Sequence, residues 1–149
     1  MIALKRTDSG SNDFLTLVHH LDRDLTIRDG DDHAFYAQYN KVAAIKHCVV
    51  AYENDKPVGC GAIKEFDNES MEVKRMYTPP EFRGKGIAAQ VLSELEKWTI
   101  ELGYKRCVLE TGKKQPEAIA LYTKCGYIVI PNYGQYAGVG NSVCFEKTF

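Results

Sequence analysis

The chain has 149 residues, 44% of them hydrophobic, with 19 basic and 20 acidic side chains. That length fits one globular domain over residues 1–149, burying roughly 70% of the surface its unfolded form exposes, and the near-balanced charge excludes the broad basic face of a nucleic-acid binder. No apolar run approaches the ~18 residues that span a bilayer, and Met1 to Arg6 is too short and too soon charged for a signal peptide, so the expectation is a soluble cytoplasmic protein with no membrane partner.

In chain order, Ile2 to Thr7 reads as a short strand. Asp8 to Asn12 is a turn rich in capping side chains, and Phe14, Leu17, Val18, Leu21 and Leu25 then recur at helical spacing. After a turn at Asp29 to Asp32, His33 to Asn40 is predicted as a second, shorter helix carrying Phe35, Tyr36 and Tyr39. Cys48 to Tyr52, Val58 to Phe66 and Glu72 to Tyr77 are strand candidates joined by short polar turns, which is the pattern of an antiparallel meander. Ile87, Ala88, Val91, Leu92, Leu95, Trp98 and Leu102 form a helical stripe that Gly103 should end. Arg106 to Glu110 is a strand that Thr111-Gly112 is expected to break, Pro116 opens another helix that Gly126 ends, and Tyr127 to Ile130 and Ser142 to Lys147 are the last strands. The order β-α-(α)-β-β-β-α-β-α-β-β predicts a mixed α/β (α+β) domain with a mixed, mostly antiparallel sheet of about seven strands and helices on both faces.

The five cysteines, Cys48, Cys60, Cys107, Cys125 and Cys144, include no Cys-x-x-Cys pair, which argues against zinc and dithiol chemistry. No His or acid pair has ligand spacing, and no metal is expected. Cys125 leaves a thiol nucleophile formally open, although a free cysteine is usually a small buried hydrophobe.

The chemistry concentrates between Met71 and Gln90, where a strand leads through Arg83-Gly-Lys-Gly86 into a helix. A helix N-terminus offers backbone N–H groups without intrahelical partners and partial positive charge, so this is a phosphate cradle, with Arg83 and Lys85 as added cations and Gly84 and Gly86 keeping Cβ atoms away from the anion. Three phosphates compete for it. Gly84-x-Gly86-x-x-Ala89 with Glu110 downstream fits a dinucleotide site, but Thr78 to Arg83 separates strand from glycine and a meander precedes it. A triphosphate P-loop needs a hydroxyl after Gly-Lys, where Gly86 stands instead. The third candidate is the pyrophosphate of coenzyme A.

Arg83-Gly-Lys-Gly-Ile-Ala88 resembles the Arg/Gln-x-x-Gly-x-Gly/Ala signature of the GNAT acetyltransferase superfamily. Ala118-Ile-Ala-Leu-Tyr-Thr-Lys-Cys-Gly-Tyr127 is similar to that family's Ala-Ile-x-Leu-Tyr-x-x-x-Gly-Phe/Tyr motif, and the two motifs with the intervening Val-Leu-Glu-Thr111 cover about half the chain in the expected order. The resemblance implies a GNAT-like fold and acetyl-CoA as cosubstrate. It places the pyrophosphate on the N–H groups of residues 83 to 88 (Arg83, Gly84, Lys85, Gly86, Ile87, Ala88) and the pantetheine arm along Met76, Tyr77 and Thr78. A backbone N–H there, at Met76, would polarise the thioester, and Gln115 stands where relatives carry an Asn that holds the same arm. Tyr122 is the implied acid for the departing thiolate. Glu72 and Glu110 are candidate bases, with ordered water as the alternative. Tyr36, Tyr39, Tyr133 and Tyr136 are candidate walls of an acceptor pocket between the N-terminal helical segment and the last loop. The implied activity is N-acetylation of a primary amine on a small or amino-acid-like molecule by direct attack in a ternary complex. A non-catalytic CoA-binding module and a protein or peptide N-acetyltransferase are the alternatives, and a homodimer is implied only by the habit of the superfamily.

Overall fold

The computed structural model describes residues 1–30 and 45–149. Seven strands, β1 (Ile2–Thr7), β2 (His47–Glu53), β3 (Lys56–Asp67), β4 (Ser70–Tyr77), β5 (Arg106–Gly112), β6 (Ile128–Ile130) and β7 (Ser142–Thr148), form one sheet in the order β1-β2-β3-β4-β5-β7-β6. Every neighbouring pair is antiparallel except β4 and β5. Among the described residues the helices are α1 (Asn12–Asp29), α2 (Ile87–Glu101) and α3 (Pro116–Lys124). The mixed sheet with helices on both faces is as the sequence predicts; the helix predicted over 33–40, with Tyr36 and Tyr39, lies outside the described residues.

Local chemistry explains most boundaries. Ser11 caps α1 by accepting from the Phe14 N–H at 3.3 Å. Asn54 and Asp55, at φ 51° and 64°, make the tight left-handed turn that suits a two-residue hairpin between β2 and β3. α2 ends one residue before Leu102, with Gly103 at φ 89° beyond it. One boundary differs from expectation: β5 continues through Thr111 and Gly112, because β7 keeps pairing with it there, Thr111 against Val143 and Gly112 against Ser142.

The sheet is buried on both faces. Cys48, Val50, Cys60 and Ala62 meet Phe14, Leu17 and Val18 of α1, whereas Val49, Ala51 and Ile63 meet Val91, Leu92 and Leu95 of α2. Phe14, Leu17 and Val18 are each no more than 3% exposed, so each contributes about 1.5–3 kcal/mol by leaving water. That two-sided burial is why β2 reads as an uninterrupted apolar run, Cys-Val-Val-Ala, with no alternation. α3 packs behind β5 and β7, where Tyr122 lies edge-on to Tyr127 and beside Phe145.

Candidate active site

The parallel contact of β4 with β5 is short. It pairs Ser70, Met71 and Glu72 with Arg106, Cys107 and Val108, and then the ladder stops. Beyond it β4 stays with β3, as far as Tyr77 opposite Cys60, while β5 stays with β7 to Gly112. The two strands therefore diverge, and the sheet opens into a wedge whose walls are Val73 to Tyr77 on one side and Leu109 to Gly112 on the other. A bulge in β4 helps to aim that wall: the register with β3 shifts between Cys60 and Ala62, and Arg75 takes φ 59°.

Two chambers lined by described residues occupy the wedge. The larger, about 510 Å³, runs from Met76, Tyr77 and Thr78 past Arg83, Gly84 and Gly86 to the first turn of α2, with Leu121, Tyr122 and Cys125 of α3 opposite. The smaller, about 110 Å³, is lined by Glu72, Lys74, Glu110 and Tyr136. Met76, Gln115, Ala118 and Tyr122 belong to both. The chambers meet at the one aromatic hydroxyl they share.

The cradle is built as a helix N-terminus without a protein cap. Gly86 is the N-cap of α2 at φ 78°, with no side-chain hydrogen bond to the exposed N–H groups, and the first helical bond runs from the Gln90 N–H to the Gly86 carbonyl. The Ile87, Ala88 and Ala89 N–H groups precede that first closed turn and line the larger chamber. Three details add to the sequence reading. A Cβ at Gly84 or Gly86 would meet no protein atom within 4 Å, and both residues sit at φ 78°, a backbone conformation that favours glycine. The Arg83 N–H already donates to the Pro80 carbonyl at 3.3 Å, which leaves it committed before any anion arrives. Lys85 does not line the chamber; its ammonium sits over the Phe82 ring, 5.5 Å from the centroid. Arg83 does line it, held by the Thr78 carbonyl at 2.8 Å and by Asp24 of α1 at 3.4 Å.

Tyr122 is 6% exposed, and burial, followed by the nearby Cys125 and Glu110, holds its phenol well above the usual tyrosine range. It is therefore a neutral donor at any working pH. Glu72, 9% exposed, accepts from the Tyr133 hydroxyl at 2.6 Å and has Lys74 Nζ 3.6 Å from its other oxygen. Glu110 is half-buried and lines the smaller chamber with Glu72. Tyr136 lines that chamber directly, whereas Tyr133 acts on it through Glu72. Asn132 ties their loop down by donating to the Val139 and Ser142 carbonyls, both at 3.0 Å. The Thr78 hydroxyl is buried in the wall of the larger chamber and has no hydrogen-bond partner among the described residues. Cys125 lines the larger chamber, and burial raises its thiol, which disfavours the thiolate a nucleophile would need.

Helix α1 supplies residues that the sequence did not mark. Leu21 and Leu25 line both chambers, and Asp24 and Arg28 line the larger. Arg28 pairs with Glu117 of α3, so ion pairs join α1 to both the cradle and α3 around the mouth. Leu21 and Leu25 carried a signal only as members of a core stripe; Lys74 and Arg75 carried none, because a bulge is invisible to periodicity.

The acetyltransferase (GNAT) family model matches residues 15–127. An uncharacterized N-acetyltransferase, YsnE, of Bacillus subtilis is 36% identical over 99 residues, 65% of this chain and 66% of that protein. The IAA acetyltransferase of Azospirillum brasilense is 38% identical over 101 residues, 66% of this chain and 65% of that protein. The match thus spans just under two thirds of the length of these curated relatives. Among solved structures, a Klebsiella pneumoniae protein named as an acyl-CoA N-acyltransferase superposes with a TM-score of 0.82 at 28% identity, covering 99% of this chain and 97% of that one. The PaiA N-acetyltransferase of Thermoplasma acidophilum, solved in complex with coenzyme A, shares the fold with a TM-score of 0.73 at 18% identity, covering 100% of this chain and 99% of that one.

Proposed function

The chain belongs to the GNAT acetyltransferase family, and from that premise we propose that it moves the acetyl group of acetyl-CoA to the primary amine of a small acceptor by direct attack in a ternary complex. The observation that carries this reading is the meeting of two chambers of different character at Tyr122. The larger has the length and the uncapped helix terminus for a pyrophosphate and its arm. The smaller, below the ~150 Å³ that holds a benzene ring, suits a compact amine head and not a bulky residue.

The residues divide the work. The first N–H groups of α2 and Arg83 would hold the pyrophosphate, Arg83 exchanging the Asp24 carboxylate for phosphate oxygens. The β5-facing edge of β4, from which the ladder has peeled away, offers backbone groups to the pantetheine amides, with the Thr78 hydroxyl and Gln115 beside it. The Met76 N–H is the donor for the thioester oxygen. Glu110, directly or through a water, takes the proton of the incoming ammonium; Glu72, with both oxygens engaged, positions and balances charge. Once Glu110 has passed that proton to solvent, the amine lone pair forms the C–N bond as the C–S bond breaks, the second amine proton leaves to the freed Glu110 carboxylate, and the thiolate receives a hydrogen bond from Tyr122 or its proton, which solvent then restores to the phenol. A phenol raised by burial donates without ionising fully, so a strong hydrogen bond to sulfur is the larger share of its role.

Tyr122→Phe tests the reading. We expect kcat to fall about 10- to 100-fold while the Kd of CoA, by calorimetry, stays within about threefold. An unchanged kcat would remove Tyr122 from the chemistry. Failure of the unmodified protein to bind acetyl-CoA would overturn the donor assignment, and binding with no turnover on any amine would leave a CoA-binding module.

A further inference from the structure

The bulge in β4 does what a regular strand forbids: it turns two consecutive cations to one face. Val73 and Met76 point to the α2 side, where they join its apolar cluster. Lys74, by its pairing with Glu72, and Arg75, by its pairing with Asp22 of α1, both point to the α1 side, and both line the smaller chamber. Positive φ at Arg75, in a residue that is not glycine, is a strained geometry that has to be held by its surroundings. Here the holding is visible: the Arg75 side chain is 2% exposed, with one guanidinium nitrogen 2.5 Å from Asp22.

Among the described residues, the lining of the smaller chamber carries two carboxylates, Glu72 and Glu110, and two cations, Lys74 and Arg75. A site for a plain amine or a polyamine gains nothing from buried cations, which repel the ammonium that the carboxylates attract. A mixed lining complements a ligand that carries both signs. Lys74 is the cation that a ligand can reach, lining the chamber with a side chain 13% exposed, whereas the Arg75 side chain is 2% exposed and enclosed against Asp22. Glu110 is the carboxylate whose charge acts on Tyr122, at the junction with the larger chamber.

We propose that the acceptor is a zwitterion, a small amino acid, whose carboxylate docks on Lys74 while its amine faces Glu110 and Tyr122. This rests on the reading of the smaller chamber as the acceptor site, and the test separates the two. Thiol release from acetyl-CoA is followed for small L-amino acids, their methyl esters, the corresponding decarboxylated amines and spermidine, with the unmodified protein and with Lys74→Met. The ester's amine is the less basic, so more of it is neutral at a given pH, and a preference for the free acid cannot arise from intrinsic reactivity. We expect kcat/KM for the preferred acid to exceed that for its ester at least about tenfold. Lys74→Met should lower it about 10- to 100-fold for the acid and by less than about threefold for the ester, with Lys74→Arg retaining most of it. Ester, amine or spermidine performing as well as the acid would overturn the proposal, as would an equal loss for acid and ester in Lys74→Met. Should Lys74→Met not fold, Lys74→Gln replaces it, and the acid-to-ester ratio of the unmodified protein decides alone. If no arm is acetylated although acetyl-CoA binds, the acceptor-site reading falls together with the zwitterion.

Discussion

Gly61 links the core to the reaction wall, and Gly61→Ala should show it. A Cβ there would fall 2.9 Å from Leu95 Cδ1 and 3.0 Å from Val91 Cγ1, and closer still to Met76 Sδ. Leu95 and Val91 are completely buried on α2 and have nowhere to go. Met76 is a flexible thioether at the edge of the cluster, so it is the group that must move. Gly→Ala in a strand returns about 0.5–1 kcal/mol through reduced freedom of the unfolded chain, against about 1–3 kcal/mol for overpacking. With three side-chain atoms at or within 3.0 Å of the Cβ position, overpacking falls in the upper half of that range, about 2–3 kcal/mol, and the net loss should be about 1–2.5 kcal/mol in urea unfolding. Because Met76 lines both chambers, its displacement should also lower kcat/KM for acetyl-CoA about tenfold. Met76→Ala in the same background should relieve the clash, giving a double-mutant coupling of at least about 1 kcal/mol. Stability within about 0.5 kcal/mol of the unmodified protein, or no coupling to Met76, would refute the close packing on which this reasoning depends.

Two further outcomes follow from other parts of the structure. Gly86→Ala, at φ 78° with open space around the Cβ position, should cost about 1–2 kcal/mol from backbone strain alone, and Gly86→Asn clearly less; equal costs would show that φ is not the constraint. Burial raises the Cys48 and Cys60 thiols to about 12 from an ordinary value of 9.0, so above pH 9 the folded state binds more protons than the unfolded one. Stability is therefore fully present below pH 9 and lost as pH rises towards 12, by up to about 1.4 kcal/mol per pH unit for each thiol. The urea midpoint should fall over that window, and Cys60→Ala should reduce the slope; a flat midpoint would contradict the burial of both thiols.

How much the sequence reveals depends on the range of the interaction. The α1 stripe, the hairpin turns and the glycine entry to α2 are local: Ser11, Asn54, Asp55 and Gly86 determine them by side-chain capping and backbone freedom, and each lies where the sequence places it. Tyr122 and the cradle could be singled out because two local motifs carry them, and Gln115 only from its place just before the second motif. The extension of β5 through Gly112 was not, because the pairing with Val143 and Ser142 that sustains it comes from 30 residues away.

The sequence by itself determined the element order and the character of the cradle at the start of α2, since a strand, a glycine pair and a helix start suffice to expose unpaired N–H groups. Tertiary structure alone decided that β4 and β5 part after Glu72 and Val108, and that the bulge at Arg75 turns Lys74 and Arg75 to the same side. It also decided that Arg83 rests on Asp24 and that Tyr133 acts through Glu72. These are pairings across 59 and 61 residues, made by charge and hydrogen bonds between elements that periodicity treats separately. The anion cradle is thus written in contiguous residues, whereas the two chambers exist only where distant ones meet.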